Sequence, residues 1–219
     1  MKWTHLIWDF NGTLYDDVAA GVESINVMLH ARGLRGFSSL DAYRDVFDFP
    51  IEQYYRALGL DVDREGFDAL AHEWVALYLE KSRTVGLRPG VKAVLDALSA
   101  REIPQMVLSA SEREMLLGQL SGLGIADRFT EVLGLDNIYA GSKAAIAAAW
   151  REKNPDAHPL FVGDTLHDAE VAASIGADCV LITGGHHSRA RLETAGVTVI
   201  DTFAQLLSLC TMAESEDEG

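Results

Sequence analysis

Ile7-Trp8-Asp9-Phe10-Asn11-Gly12-Thr13-Leu14 reads as the end of a buried strand running into a tight turn. The apolar run Leu6–Trp8 supplies the strand, and Gly12 lets the backbone bend sharply just beyond it. In parallel α/β sheets ligands bind outside the carboxyl ends of the strands, so a carboxylate at Asp9 faces that crevice. Taken alone, Asp9 serves equally well as a turn former. The arrangement recurs about 150 residues later in Leu160-Phe161-Val162-Gly163-Asp164-Thr165-Leu166-His167-Asp168. Two more carboxylates follow a strand there, four residues apart at the start of a helix, where both can face one point. A helix cap is the alternative for one of them, since Thr165-x-x-Asp168 has the form of a capping box. Capping leaves Asp164 without a role.

Outward from these two stretches, short apolar runs alternate with helical patterns. Strands are expected at Leu6–Trp8, Met106–Leu108, Val132–Leu135, Leu160–Val162 and Val180–Thr183, with an edge strand at 197–200. Helices are expected at 90–100, 112–121, 143–152, 167–175, 188–195 and 202–210. This alternation predicts an α/β fold, a Rossmann-like parallel sheet with helices on both faces. The stretch 15–87 breaks it. Val18, Val22, Ile25 and Leu29 recur at helical spacing, as do Phe67, Leu70, Trp74 and Leu77, with shorter helices at 40–47 and 51–58. Tyr54, Trp74 and Tyr78 read as core of this helical insert. The expected domains are a core of 1–14 and 88–212, an inserted helical cap at 15–87 and an acidic tail at 213–219.

Composition narrows the function. The chain has 219 residues, 48% hydrophobic, enough for a sizeable core and too many for disorder. Its net charge is −15 with only 18 Lys and Arg, and no basic run exists to neutralise a phosphate backbone, so nucleic acid is excluded as a partner. Part of the acidity lies at Glu214, Glu216, Asp217 and Glu218, which reads as a frayed, solvated tail. No apolar run approaches the ~20 residues of a membrane span, and no export signal is evident, so no membrane partner is expected. Cys179 and Cys210 read as buried thiols in a reducing cytoplasm. Nothing in the sequence assigns an oligomeric state.

Three carboxylates gathered at neighbouring strand ends repel unless a cation neutralises them, and hard oxygen ligands select Mg²⁺. Here the sequence resembles the haloacid dehalogenase-like (HAD) hydrolase superfamily, in its helical-cap class and its phosphoglycolate phosphatase-like subgroup. The family pattern is Asp-x-Asp-Gly-Thr after the first strand, a Ser or Thr after the second, a Lys before a later helix and Gly-Asp-x-x-x-Asp after the fourth. The chain supplies Asp9, Gly12 and Thr13, then Ser109, Lys143, Gly163, Asp164 and Asp168. The resemblance covers essentially the whole chain. It implies a Mg²⁺-dependent phosphohydrolase of a small phosphorylated metabolite, with Asp9 as nucleophile forming an aspartyl phosphate. It implies Mg²⁺ held by Asp9, the carbonyl of Asn11 and Asp164, with Asp168 close by or through water. Phosphate contacts would come from Gly12, Thr13, Ser109, Ala110 and Lys143. Ser109 is alternatively a helix cap, although Ser111 with Glu114 looks like a capping box for that helix. Lys143 follows Ser142, which looks like an N-cap, and would point toward Asp9. Thr13 would orient Asp9 or the turn. Arg44 and the loop Phe47-Asp48-Phe49-Pro50 are expected to contact substrate from the insert. His186 and His187 border the same crevice and read as a solvated loop or helix start.

Position 11 departs from the pattern. Asn11 stands where the family carries the Asp that protonates the leaving group and later activates water. An amide cannot exchange a proton near neutral pH, and general acid–base help is worth about 10²–10⁴ in rate. The metal contact there uses the backbone carbonyl and survives. Two alternatives follow: a non-catalytic phosphometabolite-binding protein, or an enzyme restricted to activated phosphates.

Overall fold

Six strands pair in parallel in one sheet, in the order β3-β2-β1-β4-β5-β6. They are β1 (His5–Trp8), β2 (Gln105–Glu112), β3 (Glu131–Leu135), β4 (Pro159–Gly163), β5 (Asp178–Ile182) and β6 (Thr198–Ile200). The computed structural model describes residues 2–139 and 143–217, the side chains of 212–217 excepted. Helices α1 (Val18–Ala31), α2 (Leu40–Arg44), α3 (Ile51–Ala57), α4 (Val62–Glu65) and α5 (Phe67–Lys81) all fall between β1 and β2 in sequence. Then come α6 (Val91–Ser99), α7 (Arg113–Gly122), α8 (Ala144–Lys153), α9 (Leu166–Ser174), α10 (Arg189–Glu193) and α11 (Phe203–Asp217). The α/β fold read from the sequence is the one the chain adopts.

The centre of the sheet is apolar on both faces, as a parallel strand covered by helices requires. Leu6 and Trp8 pack on one side with Val107, Leu160 and Val162. Ile7 packs on the other with Met106, Leu108 and Phe161. The one polar atom Trp8 brings into this core is paired, its indole N–H donating to Gln105 Oε1 at 3.1 Å. β1 lies between β2 and β4, where the order of connection reverses, and a ligand crevice forms at such a point.

The helices before β2 build a second core of Val18, Val22, Ile25, Met28 and Leu29 from α1 with Tyr43, Tyr54, Tyr55, Leu60 and Leu70. The spacing of Val18, Val22, Ile25 and Leu29 turns all four inward. Arg32 ties the far end together, its guanidinium 2.7 Å from both Glu65 and Glu73.

Three differences from the sequence reading have local causes. β2 runs past Leu108 to Glu112 with a register shift between those residues, an irregularity that apolar patterning does not show. As a result Glu112, not Ser111, caps α7, accepting from the Glu114 and Met115 amides at 3.1 and 2.8 Å. α4 was not expected; one helical turn capped by Asp61 is too short to show a period. α11 continues to Asp217 rather than fraying at 213, since strong helix formers follow Cys210 and no Pro or Gly intervenes before Gly219. Ser142, read as an N-cap, and Glu218 lie outside the described residues. Among the described residues no helix is long and apolar enough to cross a membrane.

Candidate active site

Asp9 is the first residue beyond β1, its amide donating to the Val162 carbonyl of β4 at 2.9 Å. That bond sets it beside the chain that carries Asp164. Lys143, immediately before α8, brings its ammonium to 2.5 Å from Asp9 Oδ1 and 2.5 Å from Asp168 Oδ1. One carboxylate oxygen from each of Asp9, Asp164 and Asp168 lies within 4.8 Å of the others, and all three residues are buried. The Asp168 side chain also completes the capping box with Thr165, and its Oδ2 accepts from the Asp164 and Thr165 amides at 3.0 and 2.9 Å. The capping reading of Asp168 holds through Oδ2, while Oδ1 faces Lys143.

Lys143 pairs with two of the three buried carboxylates, Asp9 and Asp168, and their protonation reflects it. Burial holds the Asp9 carboxyl well above the usual range, with Lys143 opposing and Asp168 and Asp164 adding. Burial, reinforced by Asp168, pushes Asp164 up to about 7 against hydrogen bonds from the His186 amide and Thr13. Burial would also raise Asp168, but Lys143 and Thr165 outweigh it and hold Asp168 low. Burial would lower the Lys143 ammonium; Asp168 and Asp9 instead keep it raised and charged.

Gly12 turns the chain at φ 71°, in the left-handed region. A Cβ there would stand 2.5 Å from Asp164 Oδ2, so the position takes only glycine. Thr13 is fully buried and its hydroxyl donates to Asp164 Oδ1 at 2.8 Å. Its hydroxyl is spent on Asp164, where the sequence reading gave Asp9 or the turn.

Asn11 is held on every side. Its Nδ2 donates to Asp17 Oδ2 at 2.7 Å and to the Tyr78 hydroxyl at 2.9 Å. Its Oδ1 accepts from the Ser111 hydroxyl at 2.6 Å, with Ser109 Oγ 3.5 Å away. Asp17 also accepts from the Gly12 amide at 2.8 Å and the Tyr78 hydroxyl at 2.6 Å. The sequence reading missed Asp17, took Ser111 as a helix cap and took Tyr78 as insert core. An Asp directly before a helix reads as a cap, yet Asp17 makes no capping bond to α1 and turns its carboxylate to the Gly12 turn.

A cavity of about 130 Å³ opens onto this cluster, between the sheet end and the helices before β2. Asp9, Asn11, Ser109, Ala110, Lys143, Asp164 and Asp168 line it, and Gly12, Thr13 and Arg44 do not. Tyr54, Trp74 and Tyr78 line it too, rather than serving only as insert core. Arg44 spends its guanidinium on the Gly185 and Gly184 carbonyls, at 2.9 and 3.0 Å, and on Asp41. Phe47 and Phe49 do line the cavity, whereas Asp48 pairs with Arg191 at 2.9 Å. His186 and His187 are not solvated. The His186 amide donates to Asp164 Oδ2 at 2.5 Å, and its Nδ1 shares a hydrogen bond with the Tyr43 hydroxyl at 2.7 Å. His187 is fully buried and accepts at Nδ1 from the Leu166 amide at 3.1 Å. A His pair after a strand carries no signal in sequence that separates these roles from an exposed loop.

The family model described as haloacid dehalogenase-like hydrolase matches residues 6–182. The chain belongs to the haloacid dehalogenase-like hydrolases. Among curated relatives, a phosphoglycolate phosphatase from Pseudomonas putida is 29% identical, covering 94% of this chain and 79% of that one. Another, from Synechococcus elongatus, is 26% identical over 94% of this chain and 96% of its own length. These place the chain with the phosphatases of this hydrolase family, in the subgroup resembling phosphoglycolate phosphatases. Solved structures agree on the fold. A haloacid dehalogenase-like family protein from Streptococcus pneumoniae superposes with a TM-score of 0.80 at 20% identity, over 95% of this chain and 98% of its own.

Proposed function

We propose that this hydrolase is a Mg²⁺-dependent phosphatase of a small phosphorylated metabolite, working through phosphorylation of Asp9. One observation carries the reading: Lys143 bridges Asp9 and Asp168 beside Asp164, where the cavity meets the end of β1. The donor set suits the ion. Octahedral ligands at about 2.0–2.1 Å from Mg²⁺ stand roughly 3–4 Å apart, so oxygens within 4.8 Å need little movement. Asp9, Asp164 and the Asn11 carbonyl would hold it, with Asp168 acting through Lys143 or water. When bound, the ion supplies charge neutralisation between an anionic nucleophile and an anionic substrate.

The chain's own residues do the rest. Asp9 attacks phosphorus, forming an O–P bond while the bond to the leaving oxygen breaks. Water then attacks the phosphorylated Asp9 and releases phosphate. Lys143 holds Asp9 in place and opposes the rise that burial imposes on its carboxyl, and Ser109 with the Ala110 backbone holds phosphate oxygens. Asn11 gives no proton, so the reading favours leaving groups that depart as stable anions. Residues 15–87 act as a cap over the cavity. Cys179 and Cys210 carry thiols rather than a shared disulfide, which suits the cytoplasm. Asn11 alone motivates a non-catalytic reading, which the phosphatase relatives and the Asp9–Lys143 pair disfavour.

The test is a phosphate-release assay with an aryl phosphate and Mg²⁺, followed by acid trapping of the phosphorylated protein. Asp9→Asn should abolish both release and trapped label. Phosphate release that survives Asp9→Asn would refute the nucleophile.

A further inference from the structure

The cavity is apolar where it leaves the carboxylate cluster. Phe49, Ile51, Tyr55, Phe67, Trp74 and Met115 line that part. Lys143 is the one cation among the described residues that line the cavity, and it is already shared between Asp9 and Asp168. Residues 140–142 bring no cationic side chain by sequence. The nearby guanidinium groups are committed to backbone carbonyls: Arg44 to Gly184 and Gly185, Arg88 to Gly12 and Thr183, and Arg191 to Arg44 and Phe47. A substrate bearing a second anionic group would meet Asp17 and Glu112 in the wall and no free cation. Burying an unpaired charge is strongly unfavourable.

One polar atom in the apolar part lacks a partner. Tyr54 is 5% exposed, lines the cavity, and its hydroxyl makes no hydrogen bond among the described residues. Rings of Phe47, Tyr43 and Tyr55 surround it, with centroids 5.1, 6.4 and 6.1 Å away, and fix where that hydroxyl sits. Buried hydroxyls are normally satisfied, so an orphan one in a ligand cavity marks where a ligand atom belongs.

Resting on the phosphohydrolase reading above, we propose that the group released from phosphate is an uncharged aromatic ring carrying a polar atom that pairs with the Tyr54 hydroxyl. Asn11 points the same way independently. A phenol ionises near pH 10, some five to six units below water, so phenolate leaves without the proton that Asn11 lacks.

Three phosphonates that cannot be hydrolysed test this by calorimetry on the full chain, with and without Mg²⁺. Benzylphosphonate mimics an aryl phosphate, 4-hydroxybenzylphosphonate adds a ring hydroxyl, and 3-phosphonopropionate mimics phosphoglycolate. Benzylphosphonate should bind at least tenfold tighter than 3-phosphonopropionate. The added hydroxyl should gain a further five- to tenfold, about one hydrogen bond, and Tyr54→Phe should erase that gain while leaving benzylphosphonate unchanged. Equal or tighter binding of 3-phosphonopropionate, absence of binding by either aromatic probe, or a hydroxyl gain that persists in Tyr54→Phe would overturn the proposal. None of these probes turns over, so a protein that releases no phosphate from any ester would sink the phosphohydrolase reading and leave the binding order readable.

Discussion

Asn11 Nδ2 donates to Asp17 Oδ2 at 2.7 Å, which places a neutral amide where a second acid would stand directly against a buried carboxylate. Asn11→Asp therefore does two things at once. The new carboxyl and Asp17 must share a proton, as close carboxylate pairs do, and the shared proton can protonate an alkoxide. Alkyl phosphate cleavage should rise by up to about 10²–10⁴, with far less effect on aryl phosphates. The Tyr78 hydroxyl, which accepted from the Asn11 amide, loses that donor, at a cost of about 1–3 kcal/mol. Denaturant unfolding and steady-state rates on both substrate types check the pair. A variant as stable as wild type with unchanged alkyl rates would count against the role given to position 11.

Lys143→Met removes the sole cation between Asp9 and Asp168. Breaking a buried ion pair from one side costs about 3–5 kcal/mol, so the variant should unfold at markedly lower urea. The loss should shrink as pH falls, as Asp9 takes up a proton in place of the missing ammonium. Release of phosphate should fall below detection.

Asp164→Ala should abolish measurable Mg²⁺ binding in calorimetry while circular dichroism stays native. In the wild type the free carboxyl titrates near 7, and protonation removes its ability to ligate. Mg²⁺ affinity should thus be flat above pH 8 and fall by about tenfold per unit below pH 7. Undiminished affinity in the variant would reassign the metal.

His187 is buried, and burial with Arg191 nearby lowers it to about 4. Its folded value lies below the unfolded one near 6.5, so the unfolded chain takes up the proton first as pH falls. The stability this contributes is fully present above about pH 6.5 and is lost toward pH 4. At 1.36 kcal/mol per unit it amounts to at most about 3 kcal/mol. His187→Gln should flatten the difference in unfolding free energy between pH 7 and pH 4.5. An identical slope in both proteins would show that His187 does not carry it.

The sheet was legible because its strands are short apolar runs that alternate with helical patterns, as a parallel sheet buried on both faces requires. Asp9, Asp164 and Asp168 were legible for a related reason: each follows an apolar run whose strand end it occupies, whereas Lys143 took its role only from the family resemblance. Asp17, Ser111 and Tyr54 were not. Ser111 reaches Asn11 only because β2 shifts register after Leu108, and Asp17 looks like a helix cap until its carboxylate is seen to turn toward Gly12. Arg44 misled because a lone cation in a phosphate-binding protein invites a contact with substrate, whereas two glycine carbonyls take it first.

His186 holds Asp164 with its amide and Tyr43 of α2 with its ring, so one residue touches both the carboxylate cluster and the helices that roof it. Coupling between two such contacts is reciprocal. If α2 moves relative to the sheet, a change at Asp164 and a change at Tyr43 should each bias the other by the same free energy, carried by one residue whose backbone faces the carboxylates and whose ring faces the helices.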